Sequence, residues 1–198
     1  MKKNYPCYRL FKGILGPIFR LWYNPKVINK EYLNVDGPII IAGNHKHIYD
    51  QCLTIISTKR MINYMAKKEY FDDKKVAWFF KAAGCIPVNR QTKDTAAVES
   101  ALEVLNNNGA IGIFPEGTRN KTDKFLLPFK FGVVSMAKKT GATIVPFGLT
   151  GDYKFRSKNL VARFGKPFKI GDMSLEEAND KLFNDIKKLM EENLKAEN

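Results

Sequence analysis

The 198-residue sequence predicts an α/β fold in a single domain, a central sheet flanked by helices, on three observations. Apolar runs of strand length alternate with stretches of helical period along most of the chain, the pattern of layered α/β domains. The length fits one domain at the usual ~100–200 residues and allows a core that needs no covalent staples. No internal repeat and no Gly/Ser-rich linker interrupts the alternation.

Pro38-Ile39-Ile40-Ile41-Ala42 reads as a buried strand, and Cys52 to Thr58 as the helix after it. Ile62 to Ala66 fits a second strand, and Val76 to Ala83 a helix carrying Trp78, Phe79 and Phe80. Those three aromatics suit a core, a lipid tunnel or a surface that dips into a bilayer. Cys85 to Val88 is a short strand. Thr95 to Asn108 places Val98, Ala101, Leu102 and Leu105 on one helical face, and Gly109 is a natural stop. Ala110 to Phe114 is strand-like, Gly132 to Lys139 helical, and Thr143 to Leu149 and Leu160 to Phe164 are further strands. The carboxyl end opens with Ser174-x-x-Glu177, a capping box, before Leu175, Ala178, Leu182, Ile186, Leu189 and Asn193 or Leu194 run at helical spacing.

Composition narrows the class. Hydrophobic residues at 44% and charged residues at 27% exclude disorder as a description of the chain. Cys7, Cys52 and Cys85 lie far apart with no Cys-x-x-Cys pair, which argues against a disulfide framework or zinc ribbon and for a reducing compartment. Lys plus Arg is 33 against 20 acids, a net charge of +13, and such a field attracts polyanions, anionic lipid surfaces or acidic proteins. The basic residues are scattered from Lys2 to Lys195 and form no aromatic-interleaved stripe, so a nucleic-acid partner is not expected. A non-catalytic basic binding module remains the rival to an enzyme.

Tyr5 to Tyr23 is rich in aromatic and aliphatic residues but carries Arg9, Lys12 and Arg20, and its longest charge-free run, Gly13 to Phe19, is too short to span a bilayer. Only the basic start, Lys2-Lys3, matches a signal peptide. The segment reads as interfacial, with rings at headgroup depth, cationic side chains reaching anionic phosphates, and Pro17 breaking the helix. The alternative is a helix packed on its own domain. Residues 1–30 are accordingly set apart as a membrane-associating helical segment from the domain at 31–198.

Both histidines of the chain lie in Gly43-Asn44-His45-Lys46-His47-Ile48-Tyr49-Asp50, directly after the first buried strand, where open α/β sheets place their sites. If the chain turns from strand into helix between them, Asp50 can accept the Nδ1 proton of His45 and leave Nε2 as a base. No nucleophilic side chain is paired with them, so the deprotonated group can belong to the substrate. Two other readings stay open here. His45 can simply cap a helix or bond a carbonyl, or His45 and His47 with Asp50 and Glu116 can hold a metal, although Lys46 between the imidazoles opposes that. Gly84-Cys85-Ile86-Pro87-Val88-Asn89-Arg90 and Phe114-Pro115-Glu116-Gly117-Thr118-Arg119-Asn120 each begin as a strand and end in an arginine. Two guanidiniums at one sheet edge form a phosphate clamp, and either alone is an ordinary surface charge. Glu116-Gly117-Thr118 fits a turn that offers a ligand N–H groups and a hydroxyl, or an ordinary loop.

Taken in order, NHKHIYD, GCIPVNR, FPEGTRN and IVPFG resemble the four motifs of the glycerolipid acyltransferase family, the lysophosphatidic acid acyltransferases, over about Pro38 to Gly151. The resemblance implies a mixed, mostly parallel central sheet flanked by helices, preceded by the membrane-interface segment, with residues 31–198 as the acyltransferase domain. It implies acyl transfer from an acyl carrier protein or coenzyme A thioester to the free hydroxyl of 1-acylglycerol-3-phosphate, giving phosphatidic acid. Carried over, His45 is the general base and Asp50 its orienting partner. Arg90 and Arg119 hold the acceptor's phosphate, Lys130 adds charge near it, Glu116, Gly117 and Thr118 shape the acceptor site, and Pro146 borders the acyl site. No metal, no cofactor beyond the thioester co-substrate and no covalent acyl-enzyme are implied. The expected location is the cytoplasmic face of the cell membrane, as a peripheral, monotopic protein. Glycerol-3-phosphate or a lyso-aminolipid is the alternative acceptor. The chain departs from the family pattern at His47, commonly serine, and at Val88-Asn89 before the first arginine, and both departures bear on acceptor preference.

Overall fold

The computed structural model describes residues 6–89 and 94–196. Helix α1 (Pro6–Tyr23) leads into strand β1 (Lys26–Ile28), a 3₁₀ turn (Lys30–Leu33), β2 (Ile39–Gly43), α2 (Asp50–Ser57), β3 (Ile62–Lys67), α3 (Glu69–Asp72), α4 (Ala77–Ala82) and β4 (Ile86–Val88). Then follow α5 (Thr95–Asn106), β5 (Ala110–Ile113), α6 (Gly132–Thr140), β6 (Thr143–Thr150), β7 (Val161–Phe164) and α7 (Leu175–Lys195). The strands form one sheet in the order β1-β7-β6-β2-β5-β3-β4. Every neighbouring pair is parallel except β6 with β7, so the sheet is mixed and mostly parallel, as expected.

Strand β2 lies between β5 and β6, and its three isoleucines have no exposed surface. Alternate residues serve opposite faces. Ile40 and Ala42 join a core with Ala101 and Leu105 of α5, Val133 of α6 and Leu182 and Ile186 of α7, whereas Ile39 and Ile41 join Leu53 of α2, Phe147 and Phe164. A strand buried on both faces is a continuous apolar run, which is why this segment was readable from sequence. Each such side chain contributes about 1.5–3 kcal/mol relative to exposure. Strand β2 stops at Gly43, where a Cβ would lie 2.5 Å from the Phe147 carbonyl oxygen. Parallel pairing with β5 and β6 brings the loops after all three strands to one edge of the sheet.

The amino-terminal helix differs from expectation. Pro17 does not break it: α1 runs unbroken over 18 residues. Proline removes one intrahelical hydrogen bond, and the docking of α1 on the domain outweighs that loss. Buried Tyr8 accepts from the Ile62 amide at 3.2 Å, Lys12 donates to the Thr58 carbonyl, Arg20 donates to the Ile56 carbonyl at 2.5 Å, and Phe11 packs edge-on to Phe79. The outer side of α1 exposes Leu10, Ile14, Leu15, Ile18, Leu21 and Trp22. The reading of this segment as a helix packed on its own domain is therefore realised on its inner side, and its outer side is left apolar and exposed. Residues 26–28, counted with the amino-terminal segment, form an edge strand of the sheet parallel to β7.

Candidate active site

The loop from β2 to α2 is pinned at its start by Asn44, whose buried amide accepts from the Leu149 N–H at 2.7 Å and donates to the Leu149 carbonyl at 3.0 Å. His45 follows. Its ring lies flat on Phe114, 3.9 Å between centroids and 7° between planes, and Phe114 is stacked in turn on Tyr64. Its Nδ1 is 2.8 Å from Oδ2 of Asp50. The contact occupies Nδ1, so Nε2 is the nitrogen left to accept a proton. The histidine side chain is 12% exposed and the aspartate 1%.

Helix α2 begins at Asp50, two residues earlier than its periodicity indicated, and this places the carboxylate at the helix N-terminus. Oδ2 also accepts the N–H groups of Lys46 at 2.6 Å and His47 at 2.7 Å, and Oδ1 accepts the Tyr153 hydroxyl at 2.7 Å. A buried charge with this many donors is satisfied without a cation.

Glu116 is buried at the loop after β5. Its Oε1 accepts from the His45 N–H at 2.8 Å and its Oε2 from the Leu127 N–H at 3.0 Å, while the Asn120 N–H donates to the His45 carbonyl at 2.7 Å. The loop after β5 thus holds the histidine backbone from both sides. Burial pushes the Glu116 carboxyl above the usual carboxylate range, against the two amides and the neighbouring histidine. Gly117 has φ 71° and lies beneath the Lys130 side chain, and a Cβ there would come within 2.9 Å of Lys130 Cε. A side-chain-bearing residue is disfavoured at this turn on both counts. Thr118 and Arg119 are exposed, and Arg119 has no hydrogen bond or ion pair among the described residues. Arg90 lies outside the described residues.

Pro146 is not in these loops. It is buried inside β6 in register with Ala42, and a Cβ on Gly165 would lie 2.9 Å from its Cγ and 3.0 Å from Leu189, on the α7 side. The His47 ring is turned from the His45 pair, stacked on Tyr153 at 4.4 Å and 21°, with Nδ1 accepting from the Tyr49 N–H at 3.3 Å. Both Glu116 oxygens serve amides, and among the described residues no group of His, Cys, Asp and Glu side chains is arranged to hold a metal. Tyr153 was missed in the sequence. It stands in the loop after β6, outside all four motifs, and only the fold brings it to Asp50.

A family model described as "Acyltransferase" matches residues 24–150. The 1-acyl-sn-glycerol-3-phosphate acyltransferase of Bacillus subtilis is 33% identical over 145 residues, covering 73% of this chain and 71% of that protein. The enzyme of the same name from Cocos nucifera is 32% identical over 183 residues, covering 86% of this chain, which spans 56% of its length. The crystal structure of the 1-acyl-sn-glycerophosphate (LPA) acyltransferase PlsC from Thermotoga maritima superposes with a TM-score of 0.78 at 25% identity, over 96% of this chain and 80% of that one. The matched segment takes in the central strand, the His45–Asp50 pair and the Glu116 loop that braces it, and by this match the chain belongs to the acyltransferase family.

Proposed function

We propose that the protein transfers a fatty acyl group from an acyl carrier protein or coenzyme A thioester to the free hydroxyl of 1-acylglycerol-3-phosphate, making phosphatidic acid. The observation that carries this reading is the Nδ1 contact of His45 with buried Asp50, which leaves Nε2 open. In the reaction Nε2 takes the hydroxyl proton as the oxygen bonds to the thioester carbonyl carbon. Asp50 stabilises the imidazolium that forms. Collapse of the tetrahedral adduct breaks the C–S bond, and the imidazolium returns the proton to the departing thiolate. No enzyme nucleophile is needed. Burial pushes the thiols of Cys52 and Cys85 up to about 11 and about 12, so neither supplies a thiolate at neutral pH.

The acceptor's phosphate suits the charges beside the base. Arg119 is exposed and unpaired among the described residues, and Lys130 lies across the Gly117 turn. Planar guanidinium matches phosphate oxygens bidentately. A membrane surface fits the outer side of α1, which continues onto the domain through Trp78, 59% exposed and 5.9 Å from Phe11, and Phe155, 63% exposed and 4.8 Å from Trp22. Among the described residues no helix is long and apolar enough to cross a membrane. The attachment in this proposal is peripheral, at the cytoplasmic face. The product keeps both tails in the bilayer, and an enzyme resting there avoids exposing methylenes to water at ~0.8 kcal/mol each.

The test is acyl transfer to 1-acylglycerol-3-phosphate with the two thioester classes offered separately, comparing the unaltered protein with His45→Ala. Phosphatidic acid from the unaltered protein alone is the expected result, and the preferred thioester names the donor. No product from either donor, with folded and vesicle-bound protein, overturns the proposal.

A further inference from the structure

We infer that Tyr153 is a positioning residue for acyl transfer, holding Asp50 in the orientation that keeps His45 aimed, and that helix α1 fixes Tyr153 in place. The inference rests on the proposed role of His45 as base. It concerns a residue beyond the matched segment 24–150, three positions past the end of β6 at Thr150.

The two oxygens of Asp50 are served differently. Oδ2 takes His45 Nδ1 and the amides of Lys46 and His47, whereas the Tyr153 hydroxyl is the only hydrogen-bond donor to Oδ1 among the described residues. Carboxylate rotation about χ2 is soft, so one crowded oxygen does not by itself set the plane of the group. The Tyr153 donor on the second oxygen does. It also takes up part of the carboxylate's charge, which tempers how strongly Asp50 holds an imidazolium. The phenol stays a donor across the working range, because burial and the adjacent Asp50 carboxylate push its ionisation far above the ordinary tyrosine value.

A tyrosine in a connecting loop needs bracing to act this way, and its ring has it. His47 stacks on it at 4.4 Å, Tyr49 lies 6.1 Å away, and from α1 come Tyr23 at 5.6 Å and Phe19 at 6.4 Å, both edge-on. The loop is tied to the same helix a second time, since the Arg156 N–H donates to the Trp22 carbonyl at 2.6 Å. The helix that presents the exposed apolar side therefore touches, on its inner side, the residue that holds the aspartate. The ionisable groups around this corner are Tyr23 of α1, His45, Lys46, His47 and Tyr49 from the loop after β2, Cys52 of α2, Tyr64 of β3, Glu116 after β5, and the paired Asp152 and Lys154 on either side of Tyr153.

Tyr153→Phe removes the hydroxyl and keeps the ring contacts. The expected result is a fall in kcat of about 10–100-fold, the scale on which removing the orienting hydrogen-bond partner of a metal-bound histidine acts, with KM for 1-acylglycerol-3-phosphate unchanged. The acidic limb of the kcat/KM profile moves to higher pH, because Asp50 relieved of a donor binds the imidazolium more tightly. Phe19→Ala, which touches the Tyr153 ring and not the dyad, gives a smaller change in the same direction, and it carries the test should Tyr153→Phe fail to fold. An unchanged kcat and pH profile in folded Tyr153→Phe, or a rise in KM alone, overturns the inference. Turnover by His45→Ala in the same assay overturns the reading of the base beneath it, and is a separate outcome.

Discussion

Asp50 and Glu116 are both buried carboxylates at one sheet edge, yet their surroundings give them different work. Asp50 faces the histidine ring, whereas Glu116 binds the histidine backbone and the Leu127 amide, so it acts by placing His45. Glu116→Gln can accept only one of those two N–H groups and leaves the other unpaired at about 1–3 kcal/mol, lowering the melting temperature. The pH dependence has a defined sign. A carboxyl whose folded pKa is raised binds more protons folded than unfolded, so its contribution to stability is greatest below its unfolded value and declines as pH rises through its titration. Melting curves between about pH 4 and 7 should show that decline in the unaltered protein and a flatter profile in Glu116→Gln, and equal slopes would contradict it. Arg119 makes a different prediction. Without a hydrogen bond or ion pair among the described residues, it is available to the proposed acceptor, and Arg119→Ala should raise KM for the phosphate-bearing acceptor while leaving KM for the thioester as it was, read from initial rates with each substrate varied. The spacing of His45 and Asp50 was legible because both lie in one short loop. Tyr153 was not, because it meets Asp50 across 103 residues and no local pattern marks it.

At the scale of elements, the long apolar strand and the capped carboxyl-terminal helix were readable because local preference and burial agree in them. Ser174 and Glu177 form the capping box the sequence announced, and β2 is buried on both faces as its isoleucines require. Helix α1 was misjudged at Pro17 because its continuity comes from contacts with Ile56, Thr58 and Ile62, residues 36 to 54 positions away. The three-residue strand β1 and the four-residue helix α3 carry too short a period to register. The two-sided construction of α1 decides how its membrane role is tested. Deleting the helix would uncover the domain surface under Tyr8 and Phe19, so loss of binding would be ambiguous. Replacing Ile14, Ile18 and Leu21 with aspartate alters only exposed positions. Flotation with neutral vesicles should then fall sharply, while the melting temperature and turnover on detergent-dispersed acceptor stay close to those of the unaltered protein. Vesicle binding unaffected by these substitutions would place the contact elsewhere.

For the whole molecule, the antiparallel return of β7 was beyond the sequence, since nothing in a four-residue strand tells which way it enters the sheet. Net charge was not, and it acts at this scale. The excess of +13 is spread along the chain, and under the proposed attachment it supplies a long-range field toward an anionic surface, with the exposed apolar side of α1 and the rings of Trp78 and Phe155 as the proposed short-range contact. Each Lys or Arg near an anionic leaflet contributes about 1 kcal/mol, and the attraction fades beyond the Debye length, ~10 Å at 0.1 M salt and ~3 Å at 1 M. Burial of apolar side chains in the interface does not fade with salt. The two contributions therefore separate in one titration. Binding to vesicles containing anionic lipid should weaken steeply as salt is raised and level off at a residual affinity, and binding to neutral vesicles should start near that residual value and hold it. The Ile14, Ile18 and Leu21 aspartate variant should show a much lower plateau, since three of the side chains that sustain it are gone. Affinity for anionic vesicles that is indifferent to salt would mean the charge takes no part in attachment, leaving it to serve an acidic partner such as the carrier protein of the acyl donor.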